Sequence, residues 1–481
     1  MKPQTPTNKK VREEKDTLGV LCVPDDAYYG VQTARALANF PISGLTCCAD
    51  FVRATAMIKW AAARANMTSK KLSAPMGRAI LKAAEEVIHG QWNHQFVVDV
   101  FQAGAGTSHN MNANEVIANR AIEMLGGQRG DYRCVHPNDH VNMSQSTNDV
   151  FPTAMRVAAL LMLKKLDPVL AHLEKALSDK ARAFDGIIKS GRTHLQDAVP
   201  IRLGQEFSGY ACAIGRARER IRSAAHDLYE LGLGGSAVGT GINTHQNYQK
   251  CVVAELAQVS GLGFLPSKNL FERMQSMADF VALSGALKAL AIELIRIAND
   301  LRLLSSGPRT GLAEIVLPAV QPGSSIMPGK VNPVMAEVTN MVCFQVIGND
   351  TTITMAAQAG QLELNVMMPV INFNILQSIG ILTQNIKVFT EKCVIGIMAN
   401  IKTCRTFAEM SVGLATILNP TLGYEAAAKV AKESAETGRS VREVIVNRGI
   451  LSAEACDRLL DPVTMTTPEK AVRPPMRLRR S

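Results

Sequence analysis

The sequence of 481 residues lacks the patterns that mark secreted, zinc-binding and membrane proteins. Its ten cysteines include no C-x-x-C pair, so neither a zinc site nor a disulfide framework is predicted, and reduced thiols in a cytoplasm are the simplest account. The first sixteen residues have no signal-peptide apolar core, and their acidic residues are unlike a transit peptide. The uncharged stretch from Leu364 to Ile386 contains a proline and several amides, which excludes a membrane span. We expect a cytoplasmic protein with no membrane partner.

Aromatic residues make up only 5% of the chain, and strand-like alternation is scarce. Alanine, leucine, methionine and isoleucine dominate instead, which favours helices. In one long segment the apolar positions are three and four residues apart without a break, the spacing of a helix-bundle seam. These positions are Phe280, Leu283, Leu287, Leu290, Leu294, Ile297, Leu301 and Leu304. We therefore predict an all-α fold with a long central helix bundle.

The chain divides into three predicted domains along its length. They are an N-terminal domain at 1–147, a central helical-bundle domain at 148–402, and a small C-terminal helical domain with a basic tail at 403–481. Residues 1 to about 18 are polar and predict a disordered or loosely attached segment, and the Pro/Arg-rich residues after Pro468 predict another.

The formal charge is +10, but five basic side chains lie within the last twelve residues. They are Lys470, Arg473, Arg477, Arg479 and Arg480. Because the basic character is partly a property of this tail, no nucleic-acid partner is predicted, and binding by the tail is only a weak alternative. A modest positive field equally suits a small anionic substrate.

The stretch from Gln321 to Asn340 places two Pro-Gly turns between long helical patterns. Asn332 followed by Pro333 is typical of a helix start, because Asn is a capping residue and Pro lacks an N–H that the first turn does not need. Free N–H groups and the helix dipole favour an anion there. The stretch therefore predicts a carboxylate site formed by Ser324, Ser325 and Lys330, and a solvated loop with an isolated lysine is the alternative.

Three more polar segments interrupt the helical patterns, at residues 101–120, 136–153 and 191–207. Each is either a surface turn or a place where hydroxyl, amide and imidazole groups bind a ligand. The candidate groups are Thr107 and Ser108, which can also cap a helix, then Ser146, Thr147 and Asn148, and then Thr193 and His194. A fourth segment, 233–244, is rich in glycine but does not match phosphate-loop spacings.

These segments carry a set of family motifs in a fixed order. GSSIMPGKVNP fills every fixed position of a GSS-x-MP-x-K-x-NP loop, and GTS-x-NMN-x-NE, HPND-x-VN-x-SQS-[ST]-ND and TH-x-QDA-x-P precede it. From about Leu18 to Leu460 the chain therefore resembles the fumarase/aspartase superfamily. It is most similar to the aspartase branch, on SQSTND, on the residues after THLQDA, and on residues 348–367.

The resemblance implies a homotetramer built around a twenty-helix bundle, with each active site drawn from three subunits. It implies reversible deamination of L-aspartate to fumarate and ammonia, with no required cofactor; a divalent cation such as magnesium activates some relatives, and no motif here gives a metal site. Two alternatives remain. One is fumarate hydratase, which uses water in place of ammonia, and the other is a catalytically silent structural homologue.

By motif position, the resemblance also implies the role of each candidate group. Ser324 would be the general base that removes a proton from Cβ, and Glu337 would support the catalytic pair Lys330 and His194. The α-carboxylate would be held by Lys330 and Asn332, beside Ser325. The β-carboxylate would be held by Thr107, Ser146 and Thr147, beside Ser108. The amino group would be surrounded by Asn148, Thr193 and His194. A secondary anion site would be formed by His136, Asn138 and Asp139.

Three positions depart from the family pattern without removing a proposed catalytic group. His109 stands where a small residue is usual, so we expect it to alter the pocket wall or to titrate near neutrality. Ala336 replaces a proline that is common in the aspartase branch, and Met368 replaces the glutamate of NVMEPV.

Overall fold

The computed structural model describes residues 10–467, and the predictions for the tail after residue 467 lie outside the described residues. The chain is 63% helical, which confirms the all-α prediction. It forms two compact units. The first contains the described residues up to 168 together with 217–292 and 342–384, and the second contains 169–216, 293–341 and the described residues from 385 onward.

Seventeen α-helices were found among the described residues. They are α1 Val31–Asn39, α2 Ala49–Thr68, α3 Ala74–Ile88, α4 Thr107–Met124, α5 Thr147–Ala183, α6 Leu203–Ala224, α7 Tyr248–Ser260, α8 Leu270–Gln275, α9 Ala278–Leu304, α10 Val334–Gln358, α11 Met368–Phe389, α12 Ile401–Met410, α13 Asn419–Leu422, α14 Tyr424–Thr437, α15 Val441–Asn447, α16 Ala453–Leu459 and α17 Pro462–Met465. The apolar seam predicted for α9 is buried at all eight positions.

The strands are short and pair two by two. The antiparallel pairs are β1 Val11–Asp16 with β2 Gly19–Pro24, β3 Ile188–Thr193 with β4 Gln196–Arg202, and β7 Ile315–Val316 with β8 Met398–Ala399. The parallel pair is β5 Glu230–Leu231 with β6 Leu265–Pro266. No helix among residues 10–467 is both long enough and apolar enough to cross a membrane.

The first unit has a core in which α2, α3 and α4 pack through small and branched side chains, including Ala56, Ile80 and Ile117. The disorder or loose attachment predicted up to about residue 18 is wrong for β1, and the part of that prediction before residue 10 lies outside the described residues. The reason is a long-range contact. The Glu14 carboxylate on β1 is buried, and it accepts hydrogen bonds from the Val31 N–H and from the Tyr132 hydroxyl.

The second unit contains the β3–β4 hairpin and the C-terminal helices. The hairpin is held by a buried ion-pair group: Lys189 Nζ lies 2.7 Å from Glu206 and 3.1 Å from Glu314, and Arg192 lies 2.9 Å from Glu314. Glu314 is fully buried, so each charge in this group depends on its partners. Helices α14 to α16 share a small apolar core of their own.

Candidate active site

The predicted site residues fall into two sets, one in each compact unit. The first unit holds Thr107, Ser108, Ser146, Thr147 and Asn148. The second unit holds Thr193, His194, Ser324, Ser325, Lys330, Asn332 and Glu337. Each set is described within its own unit.

Thr107 is the first residue of α4 and follows a tight turn. The turn has positive φ at Ala105 and at Gly106, and a Cβ at Gly106 would lie 2.0 Å from the Phe151 ring, so only glycine fits. The N-cap of α4 is Gly106, without a side-chain capping hydrogen bond. The Thr107 side chain is therefore exposed at the helix start without acting as the cap, while Ser108 is buried behind it.

The Ser146 turn, residues 146–149, starts the long helix α5. Its backbone is fixed by Asp149, whose Oδ1 accepts the Ser146 N–H at 2.9 Å, while Ser146 Oγ accepts the Asn148 N–H at 3.2 Å. Thr147 Oγ1 accepts a hydrogen bond from Asn110 Nδ2 at 3.1 Å. This bond uses one lone pair of the Thr147 hydroxyl and leaves its proton free to donate.

The glycine-rich segment 233–244 holds the other side of the Ser146 turn, which sequence reasoning missed. Asp149 Oδ2 accepts the backbone N–H groups of Gly234 at 2.9 Å and Ser236 at 3.0 Å. Asn148 Nδ2 donates to Ala237 O at 2.8 Å, so the Asn148 carbonyl oxygen is left as an acceptor. Burial raises the pKa of the Asp149 carboxyl to about 6, against the opposing effect of its N–H donors.

Lys59 is a second group that the motifs did not identify. It lies on α2 with 0% exposure, and Nζ donates to amide oxygens of Asn110, Asn142 and Gln145 at 2.7, 2.9 and 3.0 Å. Burial lowers the pKa of its ammonium to about 7, and the Asp149 charge only partly offsets this. The sequence does contain a signal for this burial, because Lys59 follows Phe51 by eight residues and Thr55 by four and so lies on the same buried face of α2.

His109 lies in the core of the first unit and does not titrate near neutrality, so that expectation is wrong. Burial, together with the Lys59 charge, lowers its pKa to about 3. Its Nε2 lies 2.9 Å from Thr55 Oγ1, and its ring packs 4.5 Å from the Phe51 ring centroid. The two other departures, Ala336 and Met368, are also fully buried.

The Ser324 loop, residues 321–332, is exposed for most of its length. Ser324 Oγ accepts two backbone N–H groups, from Ile326 at 3.2 Å and Met327 at 3.0 Å. These two donors stabilise negative charge on that oxygen, which is what a serine general base requires. Ser325, Lys330 and Glu337 have side chains without a hydrogen bond or ion pair to the part of the chain that the structure describes.

Asn332 closes the Ser324 loop rather than capping a helix, which differs from the expectation. Its Nδ2 donates to Gly323 O at 2.7 Å, and the Gly323 N–H donates to Lys330 O at 2.8 Å. A Cβ at Gly323 would lie 2.5 Å from Lys330 O, so a side chain there would break the closure. Helix α10 then begins at Val334.

Thr193 and His194 lie at the tip of the β3–β4 hairpin. His194 and Leu195 form a two-residue turn with φ of 55° and 59°, values that match the right-handed twist of a hairpin but strain side-chain-bearing residues. The Arg192–Glu314 contact fixes the strand immediately before this turn. Both side chains at the tip are exposed.

The residues predicted for a secondary anion site form one short turn. His136 Nδ1 accepts the N–H groups of Asn138 and Asp139, each at 3.2 Å, and the Asp139 carboxylate lies 3.5 Å from the same ring nitrogen. Across residues 10–467 no group of three or more His, Cys, Asp or Glu side chains is arranged to hold a metal ion.

Comparisons with known proteins agree over nearly the whole chain. The family model described as Lyase matches residues 19–348, and the one described as Fumarase C C-terminus matches residues 414–467. An aspartate ammonia-lyase of Bacillus subtilis is 52% identical over 460 residues, which cover 96% of this chain and 97% of that protein. A class II fumarate hydratase of Thermosynechococcus vestitus is 50% identical over 448 residues, covering 93% and 96%.

A solved structure also matches closely. The crystal structure of fumarate lyase:delta crystallin from Brucella melitensis bound to cobalt has a TM-score of 0.93 to this chain at 51% identity. The match covers 95% of this chain and 100% of that chain. The fold of this chain is therefore shared with that structure.

Proposed function

This chain belongs to the Lyase family, and from that premise we propose that it converts L-aspartate reversibly to fumarate and ammonia. The observation that carries the proposal is the state of two hydroxyl groups: in the Ser146 turn Thr147 has a proton to donate, and in the Ser324 loop the Oγ of Ser324 is prepared to become an oxyanion. The 52% identity to an aspartate ammonia-lyase supports this substrate within the family.

Removing a proton from a carbon next to a carboxylate is difficult, because the carbanion places a second negative charge on that carboxylate. Donors fixed in advance toward that charge lower the barrier, since they bind the intermediate more tightly than the substrate. We assign Thr107, Ser146 and Thr147 to this carboxylate. Their hydroxyls and the start of α5 supply donors without neutralising the substrate before the reaction.

The proton is taken by Ser324 in this proposal. The N–H groups of Ile326 and Met327 stabilise the alkoxide, and the Lys330 charge on the same loop binds the other carboxylate with Asn332. Elimination then breaks the Cα–N bond, and its electron pair leaves with ammonia. The substrate enters as an ammonium, so its amine needs no further proton in order to leave.

The amino group is assigned to Asn148, Thr193 and His194. Because Asn148 Nδ2 is already used on Ala237 O, its carbonyl oxygen is available to an ammonium donor. A hydratase expels hydroxide instead and needs a strong acid at that position.

We propose that the active form is a homotetramer and that its sites combine turns from several subunits. On α10, Phe344 and Met355 are each 59% exposed, and Gly348 and Thr351 lie between them at steps of four, three and four residues. That spacing forms a seam for a partner helix. Light scattering should give four chains for the wild type and fewer for Phe344→Asp, with a parallel loss of turnover.

We propose further that the reaction needs no cofactor, that a divalent cation acts at most as an activator, and that the enzyme works in the cytoplasm. The chemistry above uses only hydroxyl, amide and ammonium groups of the chain. Dialysis against a chelator should leave most of the aspartate activity. If dialysis abolished the aspartate activity and added metal restored it, the proposal would be contradicted.

Fumarate hydratase is the second candidate, favoured by the 50% identity to a class II enzyme. The two are separated by following fumarate absorbance while the purified protein receives aspartate or malate, with argininosuccinate and adenylosuccinate as further substrates. The proposal expects fumarate and an equal amount of ammonia from aspartate alone. Fumarate from malate without ammonia from aspartate would replace it with the hydratase, and no turnover of either would favour a silent homologue.

A further inference from the structure

Lys59 is a buried cation without a carboxylate partner in contact. Its three ammonium protons are all used on neutral amide oxygens, those of Asn110, Asn142 and Gln145, and no ion pair joins it to any described residue. Fully buried lysines are rare unless they are paired, because desolvation of the charge is costly. The buried Lys59 ammonium is therefore expected to have a role other than forming an ion pair.

The ammonium fixes the direction of every amide around it. A lysine ammonium only donates, so each neighbouring amide must turn its oxygen inward and its NH2 group outward. For Asn110 the outward NH2 donates to Thr147 Oγ1 at 3.1 Å, and it lies 3.2 Å from Asn142 Oδ1. For Gln145 it donates to Val141 O at 2.9 Å, which stiffens the segment before the Ser146 turn.

We propose that Lys59 is a positioning residue for the substrate carboxylate: acting through Asn110, which occupies one lone pair of Thr147 Oγ1, it holds the Thr147 hydroxyl with its proton free to donate and places a positive charge behind the anion. This inference rests on the proposed function only in taking that anion to be a carboxylate of the four-carbon substrate. Sequence motifs assign Thr147 to the carboxylate but do not show what holds its hydroxyl in place. The Lys59–Asn110–Thr147 chain supplies that support.

The same arrangement links anion binding to the proton on Lys59. The titratable groups facing Lys59 are Asp149 on α5, whose charge favours the ammonium, and His109 on α4, which stays neutral. Its pKa of about 7 leaves it partly neutral in mildly alkaline solution. A dicarboxylate at Thr147 favours the charged form, so binding is expected to take up a proton under those conditions.

The test compares two buried asparagines on the same helix. Asn110→Ala cuts the chain to Thr147, while Asn112→Ala removes an equally buried amide that bonds only to backbone, at Gln95 O and the Val97 N–H. Calorimetry with succinate, an unreactive four-carbon diacid, should give binding about 10- to 100-fold weaker for Asn110→Ala and little changed for Asn112→Ala. Equal weakening in both variants would overturn the proposal.

Lys59→Met provides the second arm, measured as proton uptake on succinate binding in buffers of different ionisation enthalpy. Wild-type protein should take up a fraction of a proton in mildly alkaline solution, and Lys59→Met should take up none. Lys59→Arg should recover part of the affinity for succinate. Unchanged uptake in Lys59→Met would overturn the proposal. If that variant does not fold, the comparison of Asn110→Ala with Asn112→Ala decides alone.

These measurements separate the inference from the proposed function, because succinate binding does not require turnover. Wild-type activity on aspartate together with unaltered binding by Asn110→Ala would leave the function standing and remove the role of Lys59. Binding of succinate with the expected contrast, but no turnover of aspartate, would do the reverse. No succinate binding by the wild type would overturn the role of Lys59, while the proposed function is decided by the turnover of aspartate.

Discussion

The Ser146 turn and the Ser324 loop offer similar chemical groups but are held in different ways. In the Ser146 turn, Asp149 is fully buried, accepts three backbone N–H groups, and ties the turn to the glycine-rich segment 233–244. The Ser324 loop has exposed side chains and is closed on itself by Gly323, Lys330 and Asn332.

The difference separates binding from chemistry. Donors that stabilise a developing charge work best when they do not have to reorganise, and buried partners fix the Ser146 turn in that way. A segment with few buried contacts opens at low free-energy cost, so the Ser324 loop can close over a substrate and open to release the product. We therefore expect changes in the turn to affect stability and affinity, and changes in the loop to affect turnover.

The largest expected effect is that of Ser324→Ala. Loss of the general base should lower kcat about 10²- to 10⁴-fold, while circular dichroism and the melting temperature stay close to wild type, because the loop contributes little buried contact. Ser325→Ala is the matched control: its hydroxyl accepts no backbone N–H among the described residues, and it should mainly raise KM. A Ser324→Ala enzyme with wild-type kcat would remove the proposed base.

Asp149→Asn tests the Ser146 turn, where we expect stability rather than kcat to change. The new NH2 group would face the N–H donors of Gly234 and Ser236 or of Ser146, so at least one buried donor loses its acceptor. We expect a loss of about 2 to 3 kcal/mol in the free energy of unfolding, measured in urea, with a raised KM. Asp139→Asn, at a side chain that is 75% exposed, is the control. Equal stability of the two variants would contradict the anchoring role.

The pH dependence of stability gives an effect that is smaller per pH unit and has a definite sign. The pKa of Lys59 falls from 10.5 in the unfolded chain to about 7 in the folded one, so the unfolded chain binds the proton more tightly between these values. The contribution of Lys59 to the free energy of unfolding should therefore rise with pH from about 7 to 10.5, by at most about 1.4 kcal/mol per pH unit. Lys59→Met should lack this rise, and a parallel rise in the variant would assign it to another group.

Much of this contrast could be predicted from the sequence, because it is local. Glycine and proline mark the turns, and the three- and four-residue steps of α9 mark its buried seam. What could not be predicted depends on distant partners. Asp149 needs the N–H groups of residues 234 and 236, and Lys59 needs amides on two other segments.

The wrong expectations have the same cause. His109 was expected to titrate because histidine does so in water, yet burial among aromatic rings and the Lys59 charge remove its proton. The polar composition of the β1 segment predicts disorder or loose attachment, yet Glu14 is held by Val31 and Tyr132, which are remote in sequence. Asn332 fits the pattern of a cap, but its side chain is held by the loop, where Nδ2 donates to Gly323 O nine residues earlier.

The smallest expected effect comes from two glycines that differ only in location. Gly329 in the Ser324 loop has φ of 80° and Gly126 after α4 has φ of 81°, and a Cβ at either position would meet nothing within 4 Å. Alanine should therefore cost about 1 kcal/mol of backbone strain at both. In Gly126→Ala this should appear in the free energy of unfolding with activity unchanged. In Gly329→Ala it should appear as about a fivefold loss of kcat/KM with little change in unfolding, since an exposed loop can relax without unfolding the unit. Equal losses of stability in both variants would show that the Ser324 loop is as firmly fixed as the rest of the chain.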